Sequence, residues 1–396
     1  MRVLFTSLPA TGHFNSIMPT AIGTAAAGHE VAVCTTSAFA EEVTRAGLQH
    51  LPGGADSIRA LAPDAPPIGD PTRPPFIQQR VFAERAPQRL LPDLAAHVEA
   101  WQPDLLVRES SEFAACLLAE QLGMPHASIG TGSWSSRDER RARFADALSA
   151  RRAEIALAPD PTAEMMYRYL QLAFTPPRWD GESAHPPTVH FIRYDNPERP
   201  GEVRPAWLDE HRDQPFVYAS LGTEMNDVPG LFEAIIDAVA DEPIDVVAAI
   251  GRHEDPARFG TPPANVQIEG YVPQIQVLAA CDLFITHGGF NSTKEALRLG
   301  IPLVVTPIGG DQPYTAERVE ALGLGRAVGP DERDPATIRS RVREVLAHPR
   351  YAAEARRFSA EMQALPPISH AVELFEQLAR EKQPIYFSLR GSSPSG

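Results

Sequence analysis

The residues best suited to hold an anion stand together in one stretch, 287–292. A short apolar run at 283–286 precedes His287, two glycines follow it, and 291–299 has the period of an amphipathic helix that ends at Gly300. A helix N-terminus carries unpaired backbone N–H groups and a partial charge of roughly +0.5, and glycine has no Cβ to keep a ligand away. The spacing therefore predicts a strand, a glycine turn and a helix that together bind an anion.

The residues of this turn exclude two common kinds of phosphate-binding site. No lysine follows the glycines, as a Gly-Lys-Ser/Thr phosphate loop requires, and neither this turn nor GTG at 130–132 completes the GxGxxG of a dinucleotide site. The polar residues have an alternative role as helix caps. Residues 292–295, Ser-Thr-Lys-Glu, have the sequence of a capping box in which Glu295 reaches back to the turn.

A second candidate for chemistry is His13, in the segment ATGHFNS. We predict a loop at 8–15, between the first strand and the first helix, and ligands of open α/β sheets bind at such loops. A neutral imidazole with an unperturbed pKa of about 6.5 can accept a proton from a hydroxyl at cellular pH. The alternative is a loop histidine that caps the helix or is simply solvated.

Alternating strand and helix patterns position both candidates, and the alternation occurs twice. The 396 residues suffice for two domains, each with its own core. Two domains would also form a cleft between them. The segment 196–215 is polar and broken by prolines, as a linker would be. We predict an α/β protein with an N-terminal domain at 1–195, this linker, a C-terminal domain at 216–375, and a helix end and tail at 376–396.

The composition excludes several classes of function. With 36 basic and 51 acidic residues, a formal net charge of -15 and no basic run, neither nucleic acid nor an anionic membrane is an expected partner. Cys34, Cys116 and Cys281 stand far apart without metal-ligand spacing, so we expect reduced core residues. The N-terminal apolar run is too short for a secretory signal, and no stretch reaches the length of about 18 residues that spans a membrane. We therefore expect a cytoplasmic protein that binds no metal.

Three motifs in one order resemble those of a known family. YVPQ at 271–274 precedes HGGFNSTKEA at 287–296, and GGDQ at 309–312 follows. Together they resemble the donor-binding motif of family 1 nucleotide-sugar glycosyltransferases of the GT-B fold, of the bacterial antibiotic and natural-product type. The resemblance implies two Rossmann-like domains with parallel sheets that face each other across a cleft. It also implies an inverting, metal-independent enzyme, a monomer or homodimer without a cofactor, that moves a sugar from a UDP- or dTDP-sugar to a hydroxyl of a lipophilic natural-product acceptor.

The resemblance assigns the catalytic roles. His13 takes the place of the family's general base, and Glu109 takes the place of its acidic partner, which is more often an aspartate. On the residues alone, Glu109 has the alternatives of bonding Arg108 or a substrate hydroxyl. Ser110 or Ser111 could contact the imidazole instead.

The resemblance also implies a donor site. In it, His287 bonds the diphosphate, Tyr271 stacks on the nucleotide base, and Glu295 either bonds the ribose or serves in the capping box. The predicted donor-binding residues are Gly12, Gly222, Thr223, Tyr271, Val272, His287, Gly289, Asn291, Ser292, Glu295, Asp311 and Gln312.

The acceptor site is predicted from apolar character. Methionine and amphipathic aromatic side chains suit an adaptable apolar pocket, and 165–179 is rich in both, although ordinary core is the alternative. The predicted acceptor-binding residues are Phe76, Trp134, Met165, Met166 and Tyr169.

Two other functions share these features. A nucleotide-sugar 2-epimerase has the same fold and phosphate chemistry but needs no acceptor. A non-catalytic auxiliary partner of another glycosyltransferase would bind no donor, and the intact HGG, NS and DQ residues argue against it. For a transferase we expect motion about 196–215, because the cleft must close for transfer.

Overall fold

The computed structural model describes residues 1–67, 70, 72–132, 137–181, 185–195, 202–209, 213–222, 228–252 and 254–387. The chain divides into two compact units. The first comprises Met1–Ala65, Pro75–Asp195 and the chain from Leu365 onward, and the second comprises Pro66–Pro74 and 196–364. In the described residues no helix combines the length and the apolar character that crossing a membrane requires.

The first unit is built on a seven-stranded parallel sheet. Its strands are β1 (Arg2–Thr6), β2 (Glu30–Thr35), β3 (Gln49–Pro52), β4 (Leu105–Glu109), β5 (His126–Ile129), β6 (Leu170–Ala173) and β7 (Val189–Phe191). They lie in the order β3-β2-β1-β4-β5-β6-β7. β1 and β4, which precede the predicted catalytic segments, are therefore neighbours at the centre of the sheet.

Helices connect the strands and pack against this sheet. The helices up to residue 154 are α1 (Thr11–Ala26), α2 (Ala40–Arg45), α3 (Ile58–Leu61), α4 (Arg73–Phe76), a π-helical segment (Ile77–Arg85), α5 (Ala86–Trp101), α6 (Ala114–Leu122) and α7 (Arg137–Glu154), and of these α4 begins within Pro66–Pro74 of the second unit. α1 begins within the segment predicted to be a loop, so that prediction is wrong. Buried Phe14 stacks on Phe39 with ring centroids 4.3 Å apart, and this packing outweighs the low helix propensity of Gly12.

The second unit is built on a six-stranded parallel sheet. Its strands are β8 (Phe216–Ser220), β9 (Asp245–Ala249), β10 (Val266–Glu269), β11 (Leu283–Thr286), β12 (Leu303–Val305) and β13 (Gly325–Ala327), in the order β10-β9-β8-β11-β12-β13. Its helices are α8 (Leu231–Val239), α9 (Gln274–Leu278), α10 (Phe290–Arg298), α11 (Gln312–Ala321), α12 (Pro335–Ala347) and α13 (Pro349–Gln363). The predicted α/β architecture with two parallel sheets is confirmed.

The last helix, α14 (Ile368–Glu381), returns to the first unit, which corrects the predicted boundary at 375. Phe375 packs edge-on against Phe5 of β1 with ring centroids 6.2 Å apart. A Cβ added to Gly23 of α1 would collide with Ile368, so the two helices approach closely there. The apolar face of α14 is therefore buried on the N-terminal sheet, and the C-terminal domain ends at 364.

Candidate active site

His13 and Glu109 meet at the carboxyl ends of two neighbouring strands. His13 lies in the first turn of α1, shortly after β1, and Glu109 is the last residue of β4. β1 and β4 are parallel, with Thr6 in register with Arg108, so the segments that follow them lie side by side. His13 Nδ1 is 3.0 Å from Glu109 Oε1; the Glu109 side chain is fully buried, and 21% of the His13 side chain is exposed. The structure thus brings together the predicted base and its predicted acidic partner.

The second oxygen of the Glu109 carboxylate is held by nearby loops. Oε2 accepts hydrogen bonds from the Ser111 backbone N–H at 2.6 Å and from the Thr131 hydroxyl at 3.3 Å. Burial raises the pKa of Glu109, but His13, the Ser111 N–H and the charge of Arg108 outweigh it, and the net pKa lies below the ordinary value. A carboxylate at Nδ1 holds the imidazole proton on that nitrogen, which gives Nε2 the acceptor lone pair.

The two serines considered as alternative partners make other bonds. The Ser110 hydroxyl lies 2.9 Å from the Thr131 hydroxyl. Ser111 contributes its backbone N–H to Glu109. Both residues support the loop that carries the carboxylate.

In the second unit, His287 follows β11 and lies among glycines ahead of α10. Gly222 and Gly288 have φ of 81° and 83°, a region that favours glycine. A Cβ at Gly222 would lie 2.7 Å from His287 Cε1, and a Cβ at Gly289 would lie 2.8 Å from the same atom. Burial lowers the pKa of His287 to about 4, although a backbone hydrogen bond at Ser220 raises it. The residue is therefore a neutral imidazole beside the N-terminus of α10.

The start of α10 differs from the prediction. The helix begins at Phe290 after the N-cap Gly289, with no side-chain cap, so Ser292 lies inside the helix and the predicted capping box is wrong. Gln274 instead links the two residues of that box. Its Nε2 donates to the Glu295 carboxylate at 2.6 Å and lies 3.3 Å from the Ser292 hydroxyl. The backbone end of the helix is thus left without a side-chain cap, as an anion site requires.

Tyr271, the residue predicted to stack on a base, is held on two sides. Its hydroxyl donates a hydrogen bond to the Glu202 carboxylate. The guanidinium of Arg252 lies over the ring, with Cζ 3.4 Å from its centroid. One face of the aromatic ring is therefore covered. The following residue, Val272, is buried.

The pair Asp311–Gln312 lies at the start of α11. Asp311 is the N-cap residue and is partly exposed. Gln312 is buried, and its Oε1 accepts hydrogen bonds from the backbone N–H groups of Ile308 at 2.7 Å and Gly309 at 2.9 Å. The amide oxygen of Gln312 therefore holds the turn before α11, and only its NH₂ group remains to bond a ligand.

The other predicted donor residues are placed as follows. Gly12 is exposed in the first turn of α1, and Asn291 is half-buried in the first turn of α10. Two predicted residues, Thr223 and Trp134, lie outside the described residues. Within the described part of the chain, no three His, Cys, Asp or Glu residues are grouped as metal ligands.

Comparisons with known proteins cover nearly the whole chain. Residues 233–378 match the family described as Erythromycin biosynthesis protein CIII-like, C-terminal domain. The chain is 28% identical to the 3-alpha-mycarosylerythronolide B desosaminyl transferase of Saccharopolyspora erythraea, over 96% of this chain and 98% of that protein. It is also 28% identical to the aklavinone 7-beta-L-rhodosaminyltransferase of Streptomyces galilaeus, over 96% of each.

The solved structures agree with the sequences. The crystal structure of the glycosyltransferase VinC in complex with dTDP matches with a TM-score of 0.79 and 26% identity, over 96% of this chain and 100% of VinC. Similarity to glycosyltransferases thus runs through both units. The chain is a glycosyltransferase of the GT-B fold, and it is similar to family 1 enzymes of the natural-product type.

In this glycosyltransferase, two of the predicted acceptor residues belong to the core. Met165 and Met166 are buried in a cluster with Phe113 and Phe144, and Arg152 Nη1 lies 3.2 Å from Met165 Sδ. The prediction that these methionines line an acceptor pocket is corrected, because their side chains fill the space between α6 and α7. Tyr169 is half-buried against His126, with ring centroids 5.2 Å apart.

Phe76 of this glycosyltransferase lies in an apolar cluster with Phe82, a residue that was not predicted from the sequence. The cluster also contains Leu8, and the Phe82 ring centroid is 5.4 Å from that of the His13 imidazole. The Phe82 ring therefore contacts the imidazole of the candidate base, His13, edge-on. The only sequence signal for it was the run of apolar residues on the helical period near 77–86.

Proposed function

We propose that this glycosyltransferase moves a sugar, with inversion at the anomeric carbon, from a dTDP- or UDP-sugar to a hydroxyl of a lipophilic natural product. The observation that carries the proposal is the contact between His13 and the buried carboxylate of Glu109. The relatives support the choice of substrates, because two of them are a desosaminyl transferase and a rhodosaminyltransferase, and VinC was solved with dTDP.

His13 would act as the general base. Its Nε2 takes the proton of the acceptor hydroxyl while the hydroxyl oxygen bonds to the anomeric carbon. The bond from that carbon to the diphosphate oxygen breaks in the same displacement, which inverts the configuration. Glu109 stabilises the resulting imidazolium, as the third member of a catalytic triad does.

The N-terminus of α10 would bind the leaving diphosphate. Gly288 and Gly289 pack so closely against Val305 and His287 that a Cβ would not fit, and the helix end offers N–H groups where negative charge develops. His287 contributes a hydrogen bond from a neutral imidazole. No metal ion takes part in the proposed reaction.

The proposal includes a cytoplasmic location. Cys34, Cys116 and Cys281 are free and buried, as reduced thiols of an intracellular protein are. A monomer or a homodimer is expected, and the sedimentation velocity of the purified chain measures which.

The decisive experiment is a product screen. The purified chain is incubated with dTDP- and UDP-sugars and with aromatic or macrocyclic hydroxyl acceptors, and products are identified by mass spectrometry. The anomeric proton coupling of each glycoside then gives its configuration. We expect an acceptor glycoside of inverted configuration; a retained configuration would contradict the mechanism.

Donor-only reactions and binding measurements distinguish the alternatives. An epimerised sugar nucleotide formed without acceptor would indicate a 2-epimerase. Absence of dTDP and UDP binding in calorimetry, together with no glycoside, would indicate an auxiliary partner. Formation of the acceptor glycoside should slow by about 10²- to 10⁴-fold in His13→Ala while dTDP binding persists.

A further inference from the structure

Glu112 is a buried carboxylate three residues after Glu109, and the proposed reaction does not use it. Its Oε2 accepts a hydrogen bond from the Thr6 hydroxyl at 2.5 Å, and its Oε1 accepts one from the Ala114 backbone N–H. The Ala115 N–H lies 3.3 Å from Oε1 and 3.2 Å from Oε2. Because Thr6 ends β1 and Ala114 begins α6, one side chain ties these two elements together.

Arg108 holds the same loop from its inner side. The residue is 1% exposed, and its Nη2 donates to the Met166 carbonyl at 2.9 Å. Its Nη1 donates to three backbone carbonyls, those of Glu109 at 3.2 Å, Ser110 at 3.1 Å and Glu112 at 3.1 Å. A planar guanidinium with several N–H groups in fixed directions therefore fixes the peptide groups of 109–112.

We infer that Glu112 and Arg108 are positioning residues that hold the loop 109–112 against the end of β1, so that the Glu109 carboxylate meets His13 Nδ1. The inference rests on the proposed function of His13. β1 leads into the segment that carries His13, and the loop begins with Glu109, so the bond from Thr6 to Glu112 fixes the spacing of the two segments. Misplacement of catalytic groups by about 1 Å can cost roughly 10²-fold in rate.

The groups around Glu112 make its charge sensitive to pH. They are the Thr6 hydroxyl of β1, the Cys34 thiol of β2, Arg108 and Glu109 of β4, and the Cys116 thiol of α6. Burial and the Glu109 charge raise the pKa of Glu112 to about 7, although Thr6, Arg108 and the Ala115 N–H lower it. Burial raises the pKa of Cys34 to about 12 and that of Cys116 to about 11, so both thiols are neutral. We therefore expect an ionisation of Glu112 near pH 7 to contribute to the pH dependence of kcat.

The test is a double-mutant cycle on the full chain. Thr6→Val removes only the hydroxyl that joins β1 to Glu112, and Glu112→Ala removes the whole tie. Each should lower kcat by about 10- to 100-fold with the Kd for dTDP unchanged. In a Glu109→Gln background the same changes should have little further effect, since positioning acts through that carboxylate. Equal fold-losses in both backgrounds would overturn the inference.

Rescue and control variants separate positioning from general destabilisation. Glu112→Gln keeps an acceptor oxygen, so it should restore most of the kcat lost in Glu112→Ala and remove an ionisation near pH 7 from the kcat profile. Glu120→Gln changes another nearly buried carboxylate of α6, paired with Arg168, and should leave kcat intact. A loss in Glu120→Gln as large as in Glu112→Ala refutes positioning. Full activity in His13→Ala refutes instead the proposed function.

Discussion

His13 combines partial exposure with a buried acidic partner, which is what a base that meets a substrate requires. His13→Ala removes the proton acceptor and leaves the second unit untouched. We expect kcat to fall by about 10²- to 10⁴-fold while the Kd for dTDP stays the same, measured by steady-state kinetics and calorimetry. The control is His348→Ala, which should keep full activity, because His348 is exposed and its Nδ1 bonds the Glu344 carbonyl of α12. Unchanged kcat in His13→Ala would contradict the role.

His287 leads to a prediction on pH. Its pKa of about 4, lowered by burial, lies below the range from about pH 6 to 8, so the side chain stays neutral there. Titration of His287 should therefore not make donor affinity fall between pH 6 and 8, as measured by calorimetry with an accepted dTDP-sugar, whose diphosphate is esterified at both ends. If binding required an imidazolium, affinity would instead fall as the pH rises through about 6.5.

The sequence predicted those individual residues whose chemistry and place in a motif are both distinctive. His13 and His287 follow strands and Glu109 ends one, and the structure places His13 beside Glu109 and His287 among the glycines of its turn. Gln274 and Phe82 were missed because their contacts join segments distant in sequence. Met165 was assigned to the acceptor site for the same reason. A methionine side chain suits an apolar pocket and a core equally, and only the residues packed around it distinguish the two.

The glycine turn before α10 is part of the proposed diphosphate site, and we expect that its glycines do not tolerate a side chain. Gly289→Ala places a Cβ against the His287 imidazole, which must move. Overpacking of this kind costs about 1–3 kcal/mol, so donor affinity should weaken roughly tenfold or more in calorimetry. The matched control is Gly270→Ala, whose Cβ would lie 3.7 Å from the nearest atom and should leave the affinity unchanged. Equal affinities of the two variants would contradict the proposed anion site.

Strands were easier to predict than the starts of helices. The apolar runs of β1, β8 and β11 identify buried parallel strands directly. The first turn of α1 was not predicted, since it contains Gly12 and propensity alone favours a loop there. The packing of buried Phe14 against Phe39 decides it, whereas the start of α10 was predicted one residue late, at 291 instead of Phe290.

At the scale of the molecule, α14 stabilises the unit that begins the chain. Phe375→Ala removes a fully buried ring from the contact with Phe5, at a cost of about 3–5 kcal/mol. Hydrogen exchange should therefore quicken in peptides from β1, β4 and α1 but not in those of the second sheet. Phe358→Ala, at an equally buried ring of α13, should produce the reverse pattern. Faster exchange in the second sheet of Phe375→Ala would contradict the placement of α14.

The sequence predicted two parallel sheets but assigned the last helix to the wrong one. A helical period tells which face of α14 is apolar, and it carries no information on which sheet buries that face. The contacts of α14 with Gly23 and Phe5 show that the first unit buries this face.

The return of α14 places residues 365–387 in the same unit as β1, with residues 196–364, the larger part of the second unit, inserted before them. Grafting this part of a related enzyme onto the chain therefore takes two junctions, near 196 and near 364. A chimaera with a single crossover at the first junction would import a foreign terminal helix, and Phe5 and Gly23 would then face side chains to which they are not fitted.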